Sequence, residues 1–195
     1  MISTGAYFAI LAALGAERVL ELIISNRNAG RAIAAGAVES GRRHYAAMAA
    51  FHALFIASAA IEAIIYRHRF PAILEWIALS GAVLAQMLRY WAVATLGARW
   101  NTRIITDTNA RPVTAGPYRF IRHPNYLAVI IEMACVPLIH GCWITAIVFS
   151  VGNAVMLVIR IRTEEAALGD SYMRAMRDLP RFIPMPHRAR SSRPA

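Results

Sequence analysis

Thr4 to Ile24, Ala46 to Tyr66 and Pro71 to Leu96 are apolar runs that each match the roughly 20 residues a helix needs to cross a bilayer core. Runs of this kind leave the chain little choice. In lipid every backbone N–H and C=O must find its partner within the segment, so such runs cross as helices. Two further apolar stretches, Tyr126–Ile139 and Trp143–Ile159, are separated by His140-Gly141-Cys142. They read as a helical hairpin, the alternative being one tilted, broken helix. Composition agrees with a membrane protein. Of 195 residues 58% are hydrophobic and 16% are charged, where a soluble domain has about 45–50% and 25%.

The arginines set the orientation. All of the basic residues are arginine, and the formal net charge is +10. Arg27, Arg31, Arg42 and Arg43 fall in an expected loop, Ser25–Tyr45, between the first two runs. Arg99, Arg103, Arg111, Arg119 and Arg122 fall between the third and fourth, and the C-terminal tail is also arginine-rich. The His140–Cys142 turn has none, and Arg67 and Arg69 are the minority on its side. Positive charge lying in loops, not along one stripe, is a topology signal and not a nucleic-acid footprint. It places both large loops and the C-terminus in the cytosol and the N-terminus outside, the parity of an odd number of spans. The expected fold is therefore an all-α integral membrane protein of about five transmembrane helices. It forms a single domain: three N-terminal spans over 1–96, a catalytic half over 97–186, and a disordered tail over 187–195. No basic region precedes the first apolar run, so an uncleaved span is expected there. Cys135 and Cys142 suggest neither a disulfide framework nor a metal site, and no nucleotide-binding glycine pattern occurs.

Two polar blocks border these helices. Arg160 and Glu164 are four residues apart on the continuation of the last apolar run, so their side chains share a helix face. The plainer reading is an exposed ion pair at the membrane boundary, worth a few tenths of a kcal/mol. Against it stands the density of the group: a membrane exit does not need Arg162, Glu164 and Glu165 together. Such side chains beside lipid mark a working site by default. In the other block Pro124 drives His123 out of the helical region and starts a helix after it. His123 is thereby held at the mouth of a helix, where unpaired N–H groups suit an anionic or hydroxyl group. An interfacial belt of Tyr118, Arg122, His123 and Tyr126 is the plainer alternative. His52, Glu62 and the pair His44-Tyr45 carry weaker signals. A lone histidine in a span is most simply hydrogen-bonded within its bundle, and the histidine spacing predicts no metal.

Gly116-Pro117-Tyr118, Arg122-His123-Pro124-Asn125-Tyr126, Arg160-Ile161-Arg162-Thr163-Glu164-Glu165 with Leu168, and Arg181-Phe182-Ile183-Pro184 occur in that order. In these blocks the chain resembles the isoprenylcysteine carboxyl methyltransferase family of integral-membrane enzymes. The resemblance implies S-adenosylmethionine as cofactor, held in a cytosolic C-terminal pocket by Val113, Tyr118, His123, Pro124, Asn125, Tyr126 and Glu164. It implies catalytic roles for Arg160, which meets the acceptor's anionic oxygen, and for Glu164. In the N-terminal half Glu17-Arg18, Glu21-Leu22, Ser25, Arg27-Asn28, His44-Tyr45 and His52 resemble a bacterial subgroup that methylates alkylpyrones or phenolic lipids. Asn101, Arg103 and Ala110-Arg111-Pro112 depart from the family pattern.

The expected function is O-methylation of a lipophilic small molecule in a bacterial plasma membrane. Membrane lipid is its surroundings, with no nucleic acid and no obligate protein partner. A carboxylate or acidic enol is already ionised at neutral pH and needs no dedicated base. Arg160 would orient the oxygen and Glu164 would balance charge near the cofactor. Phospholipid N-methylation ranks lower, because an amine that must lose a proton gains little from a guanidinium. A non-enzymatic module binding anionic lipid through its arginines is the alternative of a different class.

Overall fold

The computed structural model describes residues 2–66, 70–107 and 110–183. The expected disordered tail, Arg67, His68 and Arg69, and the side chain of His44 lie outside the described residues. Five helices follow in order: α1 Thr4–Ala34, α2 Arg42–Ile65, α3 Ala72–Leu96, α4 Pro124–Leu138 and α5 Trp143–Ala175. The two apolar stretches after residue 124 form a hairpin, turning at Ile139–Cys142, where Gly141 has φ 72°. Helices α2, α3 and α5 are long and apolar enough to cross a membrane. The helix α1 is 31 residues long and carries Glu17, Arg18 and Glu21, while α4 is an apolar helix of 15 residues.

Local chemistry sets the helix ends. Ser3 caps α1 by accepting from the Ala6 N–H at 3.2 Å. Pro124 fills the first position of α4, where its missing N–H costs nothing. The N-terminus of α5 is capped from another helix: Glu62 of α2 accepts from the N–H groups of Ile144 (3.1 Å) and Thr145 (2.7 Å). A carboxylate there offsets the positive end of the helix dipole. Gly169, with φ 71° and ψ −174°, breaks α5 near its far end.

The molecule is apolar outside and keeps its charged spanning-helix side chains within, beside an apolar core. Val83, Leu84, Met87, Val151, Val155 and Val158 are exposed on α3 and α5, whereas Glu21, Arg89, Glu132 and Arg160 are buried. That inversion is what lipid as solvent demands. α4 packs against both α3 and α5. A Cβ on Gly81 would lie 2.6 Å from the Cys135 sulfur, so a glycine is what lets α3 and α4 approach so closely. The apolar core joins Tyr7 and Leu11 of α1, Phe55 of α2, and Met133 and Val136 of α4. At one end the Ile2 N–H reaches Glu75 (2.9 Å) and the Tyr7 ring stacks on His140 (5.0 Å). The described parts of the connection after α3 and the segment around residue 180 gather at the other end.

One expectation is corrected. The loop expected from Ser25 is helical as far as Ala34. The polar residues that suggested a loop are bonded to the connection after α3: Ser25 Oγ lies 2.8 Å from Thr102 Oγ1, and Asn28 donates to the Trp100 carbonyl at 2.8 Å. The expected all-α membrane fold is found, with one short β element added to it. Strands β1, Val38–Ser40, and β2, Ile104–Thr106, form a two-stranded antiparallel ribbon pairing Glu39 with Ile105. Gly36 and Gly41, at φ 95° and 68°, turn the chain on either side of β1.

Candidate functional site

At the ribbon end of the bundle a cavity of about 790 Å³ opens among α1, α2, α5, the connection after α3 and the start of α4. Its size falls within the roughly 300–1,000 Å³ of small-molecule sites. Each side wall has a structural cause. Gly116, at φ 54°, would place a Cβ 2.3 Å from Thr95 Oγ1. Only glycine lets the short 3-10 turn Gly116–Arg119 lie against the end of α3, and that turn delivers Tyr118 to the cavity. Burial, with the nearby charge of Glu164 adding to it, pushes the Tyr118 phenol above its usual range. Tyr172, beyond the Gly169 break, is raised in the same way. Both therefore remain neutral hydroxyls at physiological pH.

A row of three side chains runs along the cavity. Arg160 Nε donates to the Tyr126 hydroxyl at 2.8 Å, and that hydroxyl donates to Glu164 Oε2. Arg160 Nη2 donates to the Thr102 carbonyl at 2.6 Å, which fixes the guanidinium plane at a second point. The expected one-turn pair of Arg160 and Glu164 is thus realised through Tyr126 and not as a direct contact. Arg160 is 8% exposed, and its charge is held against the Tyr126 ring with 5.6 Å to the centroid. Arg162 is exposed on the outer face of α5. Side chains two residues apart on a helix point about 200° apart, which accounts for the difference.

Behind this row sits Glu165, bonded to two arginines and a histidine. Arg181 approaches it at 2.6 and 3.1 Å, His123 Nε2 at 3.1 Å and Arg122 at 3.4 Å. The backbone follows: the Arg122 N–H donates to Pro180 O (2.9 Å) and the His123 N–H to Arg181 O (3.2 Å). The segment around residue 180 is thereby laid over the start of α4. His123 lines the cavity with its ring, stacked on Tyr126 at 5.3 Å, while its outer nitrogen is taken up by Glu165. Of the other expected site residues, Val113 and Asn125 line the cavity. Pro124 is buried and shapes the entry to α4 without lining it.

Sequence reasoning missed three parts of this site. Thr102 and Tyr172 carried no motif signal. The third part is a buried charge network. Arg89 of α3 holds Glu21 of α1 through two bonds of 2.6 Å, and Arg18 holds Glu21 at 2.8 Å and Glu17 at 3.1 Å. Glu132 of α4 completes it, 3.5 Å from Arg18 and 3.7 Å from Arg89. Breaking such a buried pair from one side costs about 3–5 kcal/mol. Arg18, Glu21 and Arg89 line the far wall of the same cavity. The signal available in the sequence was charge inside three apolar runs, which implied partners without saying which.

The residues present suit a cofactor that carries both charge signs. Asn125 Oδ1 is buried without a hydrogen-bond partner among the described residues, and an orphaned acceptor of this kind calls for a donor from a ligand. Glu164 supplies an anionic edge, Tyr118 and Tyr126 supply aromatic faces, and Arg160 supplies a cation.

Fold and site together define a polytopic membrane protein with a ligand-sized cavity, apolar along much of its wall and carrying a few polar side chains, at one end of its bundle. Residues 76–170 match the profile of the isoprenylcysteine carboxyl methyltransferase (ICMT) family. The Bacillus subtilis protein YpbQ is 35% identical over 163 residues, covering 83% of this chain and 96% of that protein. The protein-S-isoprenylcysteine O-methyltransferase of Schizosaccharomyces pombe is 27% identical over 201 residues, covering 94% of this chain and 84% of its own. A solved structure of the eukaryotic intramembrane Ras methyltransferase ICMT superposes with a TM-score of 0.58 at 23% identity. That match covers 68% of this chain and 52% of the other, so it bears on the fold. The chain belongs to the ICMT family and is a membrane methyltransferase.

Proposed function

We propose that this chain is an S-adenosylmethionine-dependent O-methyltransferase acting on a lipophilic acceptor with an acidic oxygen. Alkylpyrones, phenolic lipids and isoprenylcysteine-like carboxylates are the acceptor classes. The observation that carries the reading is the Arg160–Tyr126–Glu164 row on a cavity that also holds the unpartnered oxygen of Asn125.

When bound, S-adenosylmethionine supplies an electrophilic methyl group on a sulfonium. The tasks left to the protein are alignment, exclusion of water and electrostatic balance. Tyr118, His123, Asn125, Tyr126 and Glu164, with Val113 beside them and Pro124 shaping the wall, would hold it. Glu164 offsets its positive charge. Arg160 faces the acceptor oxygen, its guanidinium plane held by Tyr126 and Thr102. Two anchored nitrogens preorganise that donor before the acceptor arrives. The acceptor's tail stays among apolar side chains such as Val19 and Ile56, which also line the cavity. A guanidinium beside the acceptor disfavours an amine, which ranks phospholipid N-methylation lower.

In this reading the chain is a multi-pass protein of a bacterial plasma membrane. Its N-terminus is outside, its cavity opens to the cytosol, and it needs no nucleic acid and no obligate protein partner. The test is transfer of a labelled methyl group in purified membranes to an alkylpyrone, a phenolic lipid and a prenylated cysteine. Label should enter at least one of them in proportion to enzyme. Charge-dependent lipid binding with no transfer to any would replace the reading with a non-enzymatic module.

A further inference from the structure

His52, in the middle of α2, has no part in the site as described so far. Its ring nitrogen Nδ1 lies 2.9 Å from the Met48 carbonyl oxygen. A carbonyl only accepts, so Nδ1 carries the proton and the neutral ring presents a lone pair at Nε2. That nitrogen has no protein partner among the described residues, and the side chain lines the same cavity as Tyr126 and Arg160. The charged groups within electrostatic reach of His52 are Arg18 from α1, Glu132 from α4 and Arg160 from α5. The imidazole therefore stands between the two polar walls of the cavity.

The charge beside it narrows what can bind. Arg18 and Arg89 face Glu17, Glu21 and Glu132 and are ion-paired with those carboxylates, with Arg18 Nε and Arg89 Nη1 left without a hydrogen bond among the described residues. With three carboxylates to two guanidiniums, this wall has no net positive charge to attract an anionic acceptor. It offers an imidazole lone pair backed by an excess of carboxylate, which suits a group that donates a proton.

We propose that His52 is a catalytic residue: its Nε2 accepts the proton of a ring hydroxyl on the acceptor as that oxygen is methylated. This deepens the proposed function and rests on it, and it selects a phenolic lipid over a carboxylate or an acidic enol. The step balances. The O–H bond gives its proton to Nε2, the freed oxygen pair forms the new O–CH3 bond, and the S–CH3 pair stays on the donor's sulfur as a neutral thioether. The imidazolium is held in the field of Glu132 until its proton passes to water.

The test compares wild type with His52→Gln, which keeps an amide near Nε2 but cannot take a proton. His52→Asn, whose amide nitrogen can keep the Met48 contact, is the second variant if the first misfolds. Turnover of a long-chain alkylphenol at neutral pH should fall about 10²–10⁴-fold, as for loss of a general base. It should recover as the pH rises toward the phenol's own ionisation, with donor binding unchanged. Turnover of a prenylcysteine carboxylate should change less than about threefold, having no proton to lose. A readout independent of the donor is a nitrophenol-bearing lipid bound to donor-free protein. Its phenolate band should appear at a pH about one unit lower in wild type than in either variant, through pairing with imidazolium. Equal losses for both acceptors, or identical phenolate titrations, would overturn the proposal. A protein that binds no methyl donor overturns the parent function instead, and the nitrophenol titration still decides His52.

Discussion

Replacing Tyr126 by phenylalanine removes one oxygen and leaves everything else in place. That oxygen accepts from Arg160 at 2.8 Å and donates to Glu164, so two bonds to charged partners disappear together. Hydrogen bonds to charged groups are worth about 1.5–3 kcal/mol each. Arg160 and Glu164 both line the cavity and can turn to water, so the net loss of positioning corresponds to about one such bond. About 1.5–3 kcal/mol off transition-state stabilisation is about a 10- to 150-fold drop in rate. The ring itself remains stacked on His123, so the junction of α4 with the rest of the site should survive. The assay is turnover of the best acceptor at saturating methyl donor, in protein matched for expression and thermal stability. A rate within about threefold of wild type would show that the row is not what orients the acceptor.

Arg160→Lys keeps the charge but not the planar fork, and should lower turnover about 10²-fold. Arg162→Lys, on the outer face, should be mild; equal small losses in the two would reduce Arg160 to an interfacial arginine. Glu165→Gln removes the charge shared by Arg122, His123 and Arg181. It should free the segment around residue 180 and raise its susceptibility to proteolysis, while transfer weakens; unchanged cleavage would refute the clasp. Reporter fusions near Pro112 and at the C-terminus should both report cytosol, and a fusion at the N-terminus the opposite side. Any other pattern overturns the five-span orientation.

How much of this was readable in the sequence depends on the residue. Helices α2, α3 and the α4–α5 hairpin were legible because an apolar run of that length has one stable form in lipid. The family resemblance rested on four blocks between Gly116 and Pro184, and Arg160, Tyr126 and Glu164 from two of them are found together. What bonds them was not legible: an i, i+4 pair suggested a direct contact, and the hydroxyl that mediates it comes from α4. Ser25 and Asn28 looked like loop residues because their partners, Thr102 and Trp100, are more than seventy positions away. The network of Glu21, Arg89 and Glu132 was hidden for the same reason. A charge in an apolar run announces that it has a partner, and only the packing of three helices says which.

The most direct measurement is a calorimetric titration of S-adenosylmethionine into the purified, lipid-reconstituted protein, with Asn125→Leu titrated alongside. Saturable one-site binding to wild type, weakened about tenfold or more when the orphaned Asn125 oxygen is removed, is the result expected from the loss of a buried hydrogen bond to a charged or polar donor. A folded wild-type protein that takes up no S-adenosylmethionine would contradict the assignment of this cavity as the methyl-donor site.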